Sequence, residues 1–277
     1  MTFMSAITAP FAQAVARAAA PTVIVVPCYN EARRLNAGAF AEALAASASL
    51  SFVFVNDGST DATLECLQAL QLSNPLRITV VDLPRNGGKA EAVRQGLIAA
   101  SRSGAALIGY WDADLATPLD AIADFERVMT RYADINVAYG ARRQLLGHRI
   151  NRTVGRRAVS RICAGLARLA VGLPISDTQC GAKLLRNTPL LQQAIAQPFT
   201  AGWLFDVELF SRLAATLPAA GRAFYEMPLA EWHEIPGSKV TSRAILRSGV
   251  QMLRLIARRL GRPSADMRTC EPMLAAV

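Results

Sequence analysis

Two aspartates two positions apart, Asp112 and Asp114, end a short apolar run. Around a bend at a strand end, such a pair of carboxylates reaches one cation. Hard oxygen ligands suit Mg2+ or Mn2+, which complete their shells with water and phosphate oxygens. A metal held there would neutralise a departing diphosphate. The structural alternative is a helix start with Pro118 in its first turn. Asp57 follows another apolar run and precedes Gly58-Ser59-Thr60. Its carboxylate either accepts an N–H from a nucleotide base or closes a turn into a helix capped by Ser59 or Thr60. Gly87-Gly88-Lys89 opens a helical stretch, where exposed N–H groups and the Lys89 ammonium suit a phosphate. The P-loop pattern GxxxxGK[ST] is absent.

Further along, Asp177-Thr178-Gln179-Cys180-Gly181-Ala182-Lys183 is a polar segment amid apolar sequence. It either lines a sugar pocket or forms a turn around an ordinary buried Cys, since Cys180 has no neighbouring His to activate it. Trp203 and Phe205, with Asp206 and Glu208, suggest a second pocket wall, and Asp206 reads equally as the partner of a helix N-terminus. The chain holds 27 Arg but only three Lys, at 89, 183 and 239, in the turns GGK, GAK and GSK. Such sparing use fits positions that need a compact ammonium. With His148 and His233 as the only histidines, a multi-His metal site is excluded. Five scattered Cys without a CxxC exclude a disulfide scaffold and fit a reducing compartment.

The elements that must position these groups follow from the apolar runs. Strands are expected at 22–27, 51–56, 77–83, 105–111 and 135–141, and helices at 36–48, 60–72, 88–102 and 119–132. This alternation predicts an α/β fold with a mostly parallel sheet flanked by helices. In such sheets ligands sit beyond the carboxyl ends of the strands. There the sequence carries Pro27–Glu31, Asn56–Asp61, Arg85–Lys89, Asp112–Asp114 and Arg142-Arg143 in turn. A length of 277 residues suits one large domain with an appendage, and 52% hydrophobic against 18% charged residues excludes a disordered chain.

The net charge of +9 is uneven. Windows 142–168 and 239–262 hold fifteen of the thirty basic residues and no acid, so the rest of the chain is net negative. Both windows contain expected amphipathic helices. In 152–171, Arg157, Arg161 and Arg168 oppose Val159, Ile162, Leu166 and Leu169. In 243–260, Arg243, Arg247, Arg254 and Arg258 oppose Ile245, Met252, Leu253, Ile256 and Leu260. These helices either lie on anionic lipid or pack their apolar faces on the domain. Aromatics make up 6% and do not interleave with the arginines, which disfavours nucleic acid. No run reaches the length of a spanning helix. Residues 1–20 lack a basic n-region, and cleavage after ARAAA would fall directly before the first strand. A cytoplasmic protein, peripheral on a membrane, is expected.

Taken in order, the segments VPCYNEARRL, VFVNDGSTDAT, RNGGKAEAVRQGL, WDADLATP, DTQCGAKLL, FDVELF and WHEIPGSKV resemble the family 2 glycosyltransferases of the GT-A fold. The last three point to the dolichyl- or polyprenyl-phosphate glucosyl branch. The resemblance spans roughly 22–245 and implies an N-terminal extension (1–20), a GT-A domain (21–240) and an amphipathic helix with a tail (241–277). It implies that Pro27, Tyr29, Asn30, Glu31 and Asp57 hold base and ribose, that Lys89 lies near the nucleotide, and that Asp112 and Asp114 bind Mg2+ or Mn2+. Arg142 would face phosphate, and Gln179, Trp203, Asp206 and Glu208 would shape the sugar and acceptor site. Ser238 and Lys239 would close over phosphates. The implied reaction is inverting transfer of a hexose, glucose from UDP-glucose first, to a polyprenyl phosphate. GDP-mannose as donor, or a hydroxyl acceptor with Asp206 or Glu208 as base, are the alternatives within the family. A non-catalytic membrane adaptor would not need the aspartate pair. The chain departs from the family in having NDG for the usual DDG; where mannosyl enzymes carry Gln two residues after the aspartate pair it has Ala116, as glucosyl-type relatives do, and the N-terminal spanning helix of eukaryotic glucosyl relatives is not expected here.

Overall fold

The computed structural model describes residues 21–150, 154–233 and 242–261. Its strands are β1 (Thr22–Cys28), β2 (Leu50–Asn56), β3 (Ile78–Asp82), β4 (Leu107–Trp111), β5 (Val137–Ala141), β6 (Arg149–Ile150), β7 (Ala182–Arg186), β8 (Phe224–Pro228) and β9 (Glu231–Trp232). Its helices are α1 (Ala37–Ala46), α2 (Thr63–Ser73), α3 (Lys89–Ser101), α4 (Ala121–Arg131), α5 (Val154–Val171), α6 (Pro189–Ala196), α7 (Phe205–Ala214), α8 (Ala220–Ala223) and α9 (Ser242–Leu260), with a 3-10 turn at Gly202–Leu204. All five expected strands form with their bounds shifted by at most two residues.

Seven strands make one sheet in the order β3-β2-β1-β4-β7-β5-β8, and β6 and β9 pair as a small ribbon. Within the large sheet only β7 is antiparallel, to β4 on one side and β5 on the other. The sequence pattern does not separate β7 from the polar segment before it, because Lys183 interrupts its apolar run.

The period of two along each strand sends neighbours to opposite faces. Val23 and Val25 join a core under α3, α5, α6, α7 and α9. Ile24 and Val26 join a second core under α1, α2 and α4, where the Phe40 ring meets Phe52 and Phe54 edge-on at 5.2 and 4.9 Å. Helix α3 lies so close to the sheet that a Cβ at Gly96 would overlap Val25 and Val55. That approach fixes the height of Lys89 at the helix start.

The two basic helices pack on each other, and α9 also packs on the 3-10 turn. Met252 and Leu255 are buried, but Leu253 and Leu260 are 64% and 78% exposed beside Arg254 and Arg258. On α5, Ala167 and Ala170 face the core while Leu169 is exposed beside Arg168. Of the apolar faces that the pattern assigned, Leu166, Met252 and Ile256 pack on the core, whereas Leu169, Leu253 and Leu260 stay exposed. Among the described residues no helix is long and apolar enough to cross a membrane.

Glu208 differs from expectation. It is 3% exposed, and its carboxylate accepts the N–H groups of Thr200 and Ala201, both at 2.7 Å, and Arg212 Nη2 at 2.7 Å. Helix α7 turns it into this loop instead of the sheet edge, where a base would be needed. Replacing Glu208 with Ala would strand two N–H groups and remove the carboxylate partner of Arg212, whose guanidinium would keep the Ala194, Gln197 and Pro198 carbonyls. We expect Glu208→Ala to lower the unfolding free energy by about 2–4 kcal/mol in urea titration. Glu208→Gln, which keeps an acceptor oxygen, should lose less.

Candidate active site

The carboxyl ends of β1, β2, β4 and β5, the start of α3, the loop before β7 and the 3-10 turn enclose a cleft of about 530 Å³. It lies where the strand order reverses between β1 and β4, the place an open α/β sheet offers a ligand.

Its first wall comes from β1 and β2. Pro27, Tyr29, Glu31 and Asp57 line it. The Glu31 carboxylate is held by Arg34, with Nε at 2.9 Å and Nη2 at 2.6 Å. Asp57 is 2% exposed and clamps the next loop, accepting from the Gly87 N–H at 2.7 Å, the Gly88 N–H at 2.9 Å and Asn86 Nδ2 at 3.1 Å. Burial pushes its carboxyl above the usual range, and the two backbone N–H groups pull it partly back. Those N–H groups were expected to meet phosphate; they are engaged by Asp57. Oδ2 accepts from both Gly88 and Asn86, whereas Oδ1 accepts only the Gly87 N–H and keeps a second lone pair for a ligand donor.

Asn30 does not line the cleft. Its φ is +52°, its N–H donates to Ser59 Oγ at 3.0 Å, and its Oδ1 accepts from the Thr60 N–H at 2.9 Å. It ties the β1 loop to the β2 loop. The neutral Asn56 in NDG also has a local cause. It is the register partner of Asp82 and donates Nδ2 to Asp82 Oδ1 at 2.7 Å. An aspartate there would face a like charge.

Asp112 and Asp114 both line the cleft floor. Lys89 Nζ lies 2.6 Å from Asp112 Oδ1. Burial tends to discharge the Lys89 ammonium, but Asp112 and Asp206 outweigh it and hold its pKa above the ordinary value. Asp114 accepts the Ala116 N–H at 3.1 Å in a turn where Leu115 has φ +53°. Burial and then the charge of Asp112 raise the Asp114 carboxyl, with Ala116, Lys89 and Arg34 opposing. Two oxygen-donor carboxylates repelling each other at one floor fit a hard divalent cation. No group of three His, Cys, Asp or Glu side chains stands ready among the described residues, so further ligands would come from water or phosphate. Strand β7 presses on this floor. The Asp112 N–H donates to the Gly181 carbonyl at 3.0 Å, and a Cβ at Gly181 would overlap the Asp112 carboxylate.

The opposite wall holds Trp203, Asp206, Gln179, Arg142 and Trp232. Arg142 grips Asp177 with Nε at 2.7 Å and Nη2 at 2.8 Å and lies 5.2 Å from the Trp232 ring. Asp206 is 4% exposed and accepts from the Tyr110 hydroxyl. Behind it Lys183, completely buried, reaches Asp206 Oδ1 at 2.9 Å. Burial pushes the Asp206 carboxyl up and the Lys183 ammonium down. Ser238 and Lys239 lie outside the described residues.

Arg34, Asn86 and Lys183 join the site without having been singled out as binding residues. For Lys183 the rarity of lysine is a signal; Asn86 lies in the polar Arg85–Lys89 strand end and Arg34 in the VPCYNEARRL segment, but neither is marked there by residue type as a binding group. Cys180 is buried with its thiol raised by burial, as an ordinary core residue.

Residues 23–190 match the model of glycosyl transferase family 2. The chain is 29% identical over 246 residues to dolichyl-phosphate beta-glucosyltransferase ALG5C of Trichomonas vaginalis, covering 84% of this chain and 70% of that one. It is 32% identical over 236 residues to the Drosophila melanogaster dolichyl-phosphate beta-glucosyltransferase, covering 79% and 68%. A crystal structure of glucosyl-3-phosphoglycerate synthase from Mycobacterium tuberculosis with Mn2+, UDP-glucose and phosphoglyceric acid superposes with a TM-score of 0.64 at 17% identity, covering 90% of this chain and 83% of that one. The seven-stranded sheet with its single antiparallel insertion is thus the GT-A fold, and the chain belongs to glycosyl transferase family 2.

Proposed function

We propose that this chain is an inverting, metal-dependent glucosyltransferase that moves the hexose of UDP-glucose to the phosphate of a dolichyl or other polyprenyl phosphate. The observation that carries this reading is the convergence of the Asp112–Asp114 pair, Lys89, Asp206 and Arg142 on one cleft in a chain related to dolichyl-phosphate beta-glucosyltransferases over most of its length. In this reading Pro27, Tyr29, Glu31 and Asp57 form the nucleoside wall. Asp112 and Asp114 would hold Mg2+ or Mn2+, which when bound supplies positive charge to the diphosphate. Lys89 adds an ammonium on the same side. Trp203, Gln179 and Asp206 border the hexose.

A phosphate oxygen of the acceptor forms the new bond to the anomeric carbon as the bond to the diphosphate oxygen breaks on the opposite face, so the configuration inverts. A phosphate is already ionised near neutral pH, so no side chain has to take a proton. The engagement of Glu208 in its own loop is consistent with that economy. Arg142, its guanidinium held by Asp177, keeps further N–H groups for the acceptor phosphate.

The acceptor lipid requires a membrane surface. The exposed leucines of α9 and α5 beside Arg254, Arg258 and Arg168 support peripheral contact with an anionic cytoplasmic leaflet.

Three outcomes test this reading. Labelled UDP-glucose, UDP-galactose, UDP-N-acetylglucosamine and GDP-mannose are offered with polyprenyl phosphate in detergent, with and without Mn2+ or Mg2+. Metal-dependent label in the lipid should come from UDP-glucose, and Asp112→Ala or Asp114→Ala should reduce it by about 10²–10⁴-fold. Nucleotide release without lipid label would instead assign a hydroxyl acceptor. Gly181→Ala, which pushes the Asp112 carboxylate aside, should cost about 100-fold in kcat while the fold persists. Co-sedimentation with phosphatidylserine vesicles should be strong at low salt and weaken as salt rises. Leu253→Asp should reduce it at every salt concentration.

A further inference from the structure

Lys183 is the most deeply enclosed cation among the described residues, with no exposed surface. It sits mid-sheet on β7, in register with Tyr110 of β4 and Tyr139 of β5. Its ammonium touches the Cys180 carbonyl at 2.5 Å and Asp206 Oδ1 at 2.9 Å, with the rings of Tyr110 and Phe210 at 4.9 and 5.5 Å. The neighbouring β7 residues Ala182, Leu184 and Leu185 are apolar and buried. A buried ion pair is a poor source of stability beside apolar side chains of the same volume. The ammonium therefore calls for another explanation, and the geometry supplies one. Lys183 and the Tyr110 hydroxyl both converge on Oδ1 of Asp206, the only carboxylate in the cleft wall that faces Lys89 from the side of α7. With Oδ1 held from behind, Oδ2 is the oxygen left for a ligand.

We propose that Lys183 is a positioning residue that, with Tyr110, pins Oδ1 of Asp206 so that Oδ2 accepts a hydroxyl of the donor hexose. The proposal rests on the reading above that the hexose borders Asp206. Lys183 itself touches no substrate; it acts through the carboxylate. The four-carbon stem spans from the middle of the sheet to Asp206 behind the cleft wall, and the compact ammonium fits where a guanidinium fork would not.

The test compares binding of UDP with binding of UDP-glucose by calorimetry in the presence of Mn2+, together with kcat and KM, in Lys183→Met, Tyr110→Phe, Asp206→Asn and Lys183→Met/Asp206→Asn. Methionine keeps the length and apolar stem of lysine. Lys183→Met should bind UDP as the parent does but lose affinity for UDP-glucose and kcat/KM, by about 10- to 100-fold. Asp206→Asn should show the same pattern, and the double variant should be no worse than the poorer single one. A merely structural lysine would instead weaken UDP and UDP-glucose alike or lower stability alone. If Asp206→Asn is impaired and a folded Lys183→Met is not, or if their losses multiply, the proposal fails while the hexose reading stands. If both are silent, the hexose does not border Asp206 and both fail. Should Lys183→Met not fold, Tyr110→Phe removes the second anchor of Oδ1. A UDP-glucose affinity and kcat/KM unchanged from the parent in Tyr110→Phe would overturn the proposal.

Discussion

The backbone pairing of β7 between β4 and β5 is the constraint on which the cleft depends. It runs against the direction of every other strand in the sheet, so its amino end arrives where the other strands finish. That brings Gly181 against the Asp112 carboxylate, Asp177 against Arg142, and Lys183 beneath Asp206. A parallel strand in the same slot would present its carboxyl end instead, and none of these three meetings would occur. The absence of a side chain at Gly181 is part of the same arrangement. The main chain itself supports the aspartate pair, and backbone is less compliant than any side chain.

Charge balance at the cleft floor follows from that placement. Asp112, Asp114 and Asp206 face a space whose cationic neighbours are Lys89, Arg34 on the side of Asp114 and, from behind, Lys183. Burial raises Asp114 and Asp206 because their charged forms are imperfectly compensated. A site with spare negative charge at one end and Arg142 at the other is polarised along its length. It suits a cation with a diphosphate at the floor and a second phosphate near the arginine. The loops that frame the floor are held by their own polar groups. Asp57 clamps Gly87 and Gly88, Asn30 ties the β1 loop to the β2 loop, and Arg34 holds Glu31. The cleft walls are thus fixed before any ligand enters, which lowers the ordering cost of binding.

The basic helices show how an amphipathic pattern divides its residues once packed. Helix α9 rests on α5 and on the 3-10 turn that carries Trp203. Alternating contacts bury Met252 and Leu255 and leave Leu253 and Leu260 outside. The same helix therefore supports one wall of the cleft and presents apolar and cationic groups outward.

By itself the sequence determined the strands β1 to β5, the helices between them, and the edge at which their polar ends gather. These depend on local periodicity and on turn residues that no distant contact overrides. The aspartate pair, Asp57, Lys89 and Arg142 were legible for the same reason, since each lies in a polar segment between an apolar run and the element after it. Tertiary structure alone decided what each carboxylate does. Glu208 and Asp206 are two residues apart on α7, yet one caps a loop and the other faces the cleft, because a helical step of two residues turns the side chain through more than half a circle. Asn30, three residues from the lining Pro27 in the sequence, is consumed in bracing a loop. The antiparallel entry of β7 was hidden because Lys183 breaks the apolar run that would have marked a strand. A lysine is tolerated there only because a carboxylate from a helix 23 residues further along the chain meets it. That partner is fixed by packing across the sheet, at a separation no local pattern can reach.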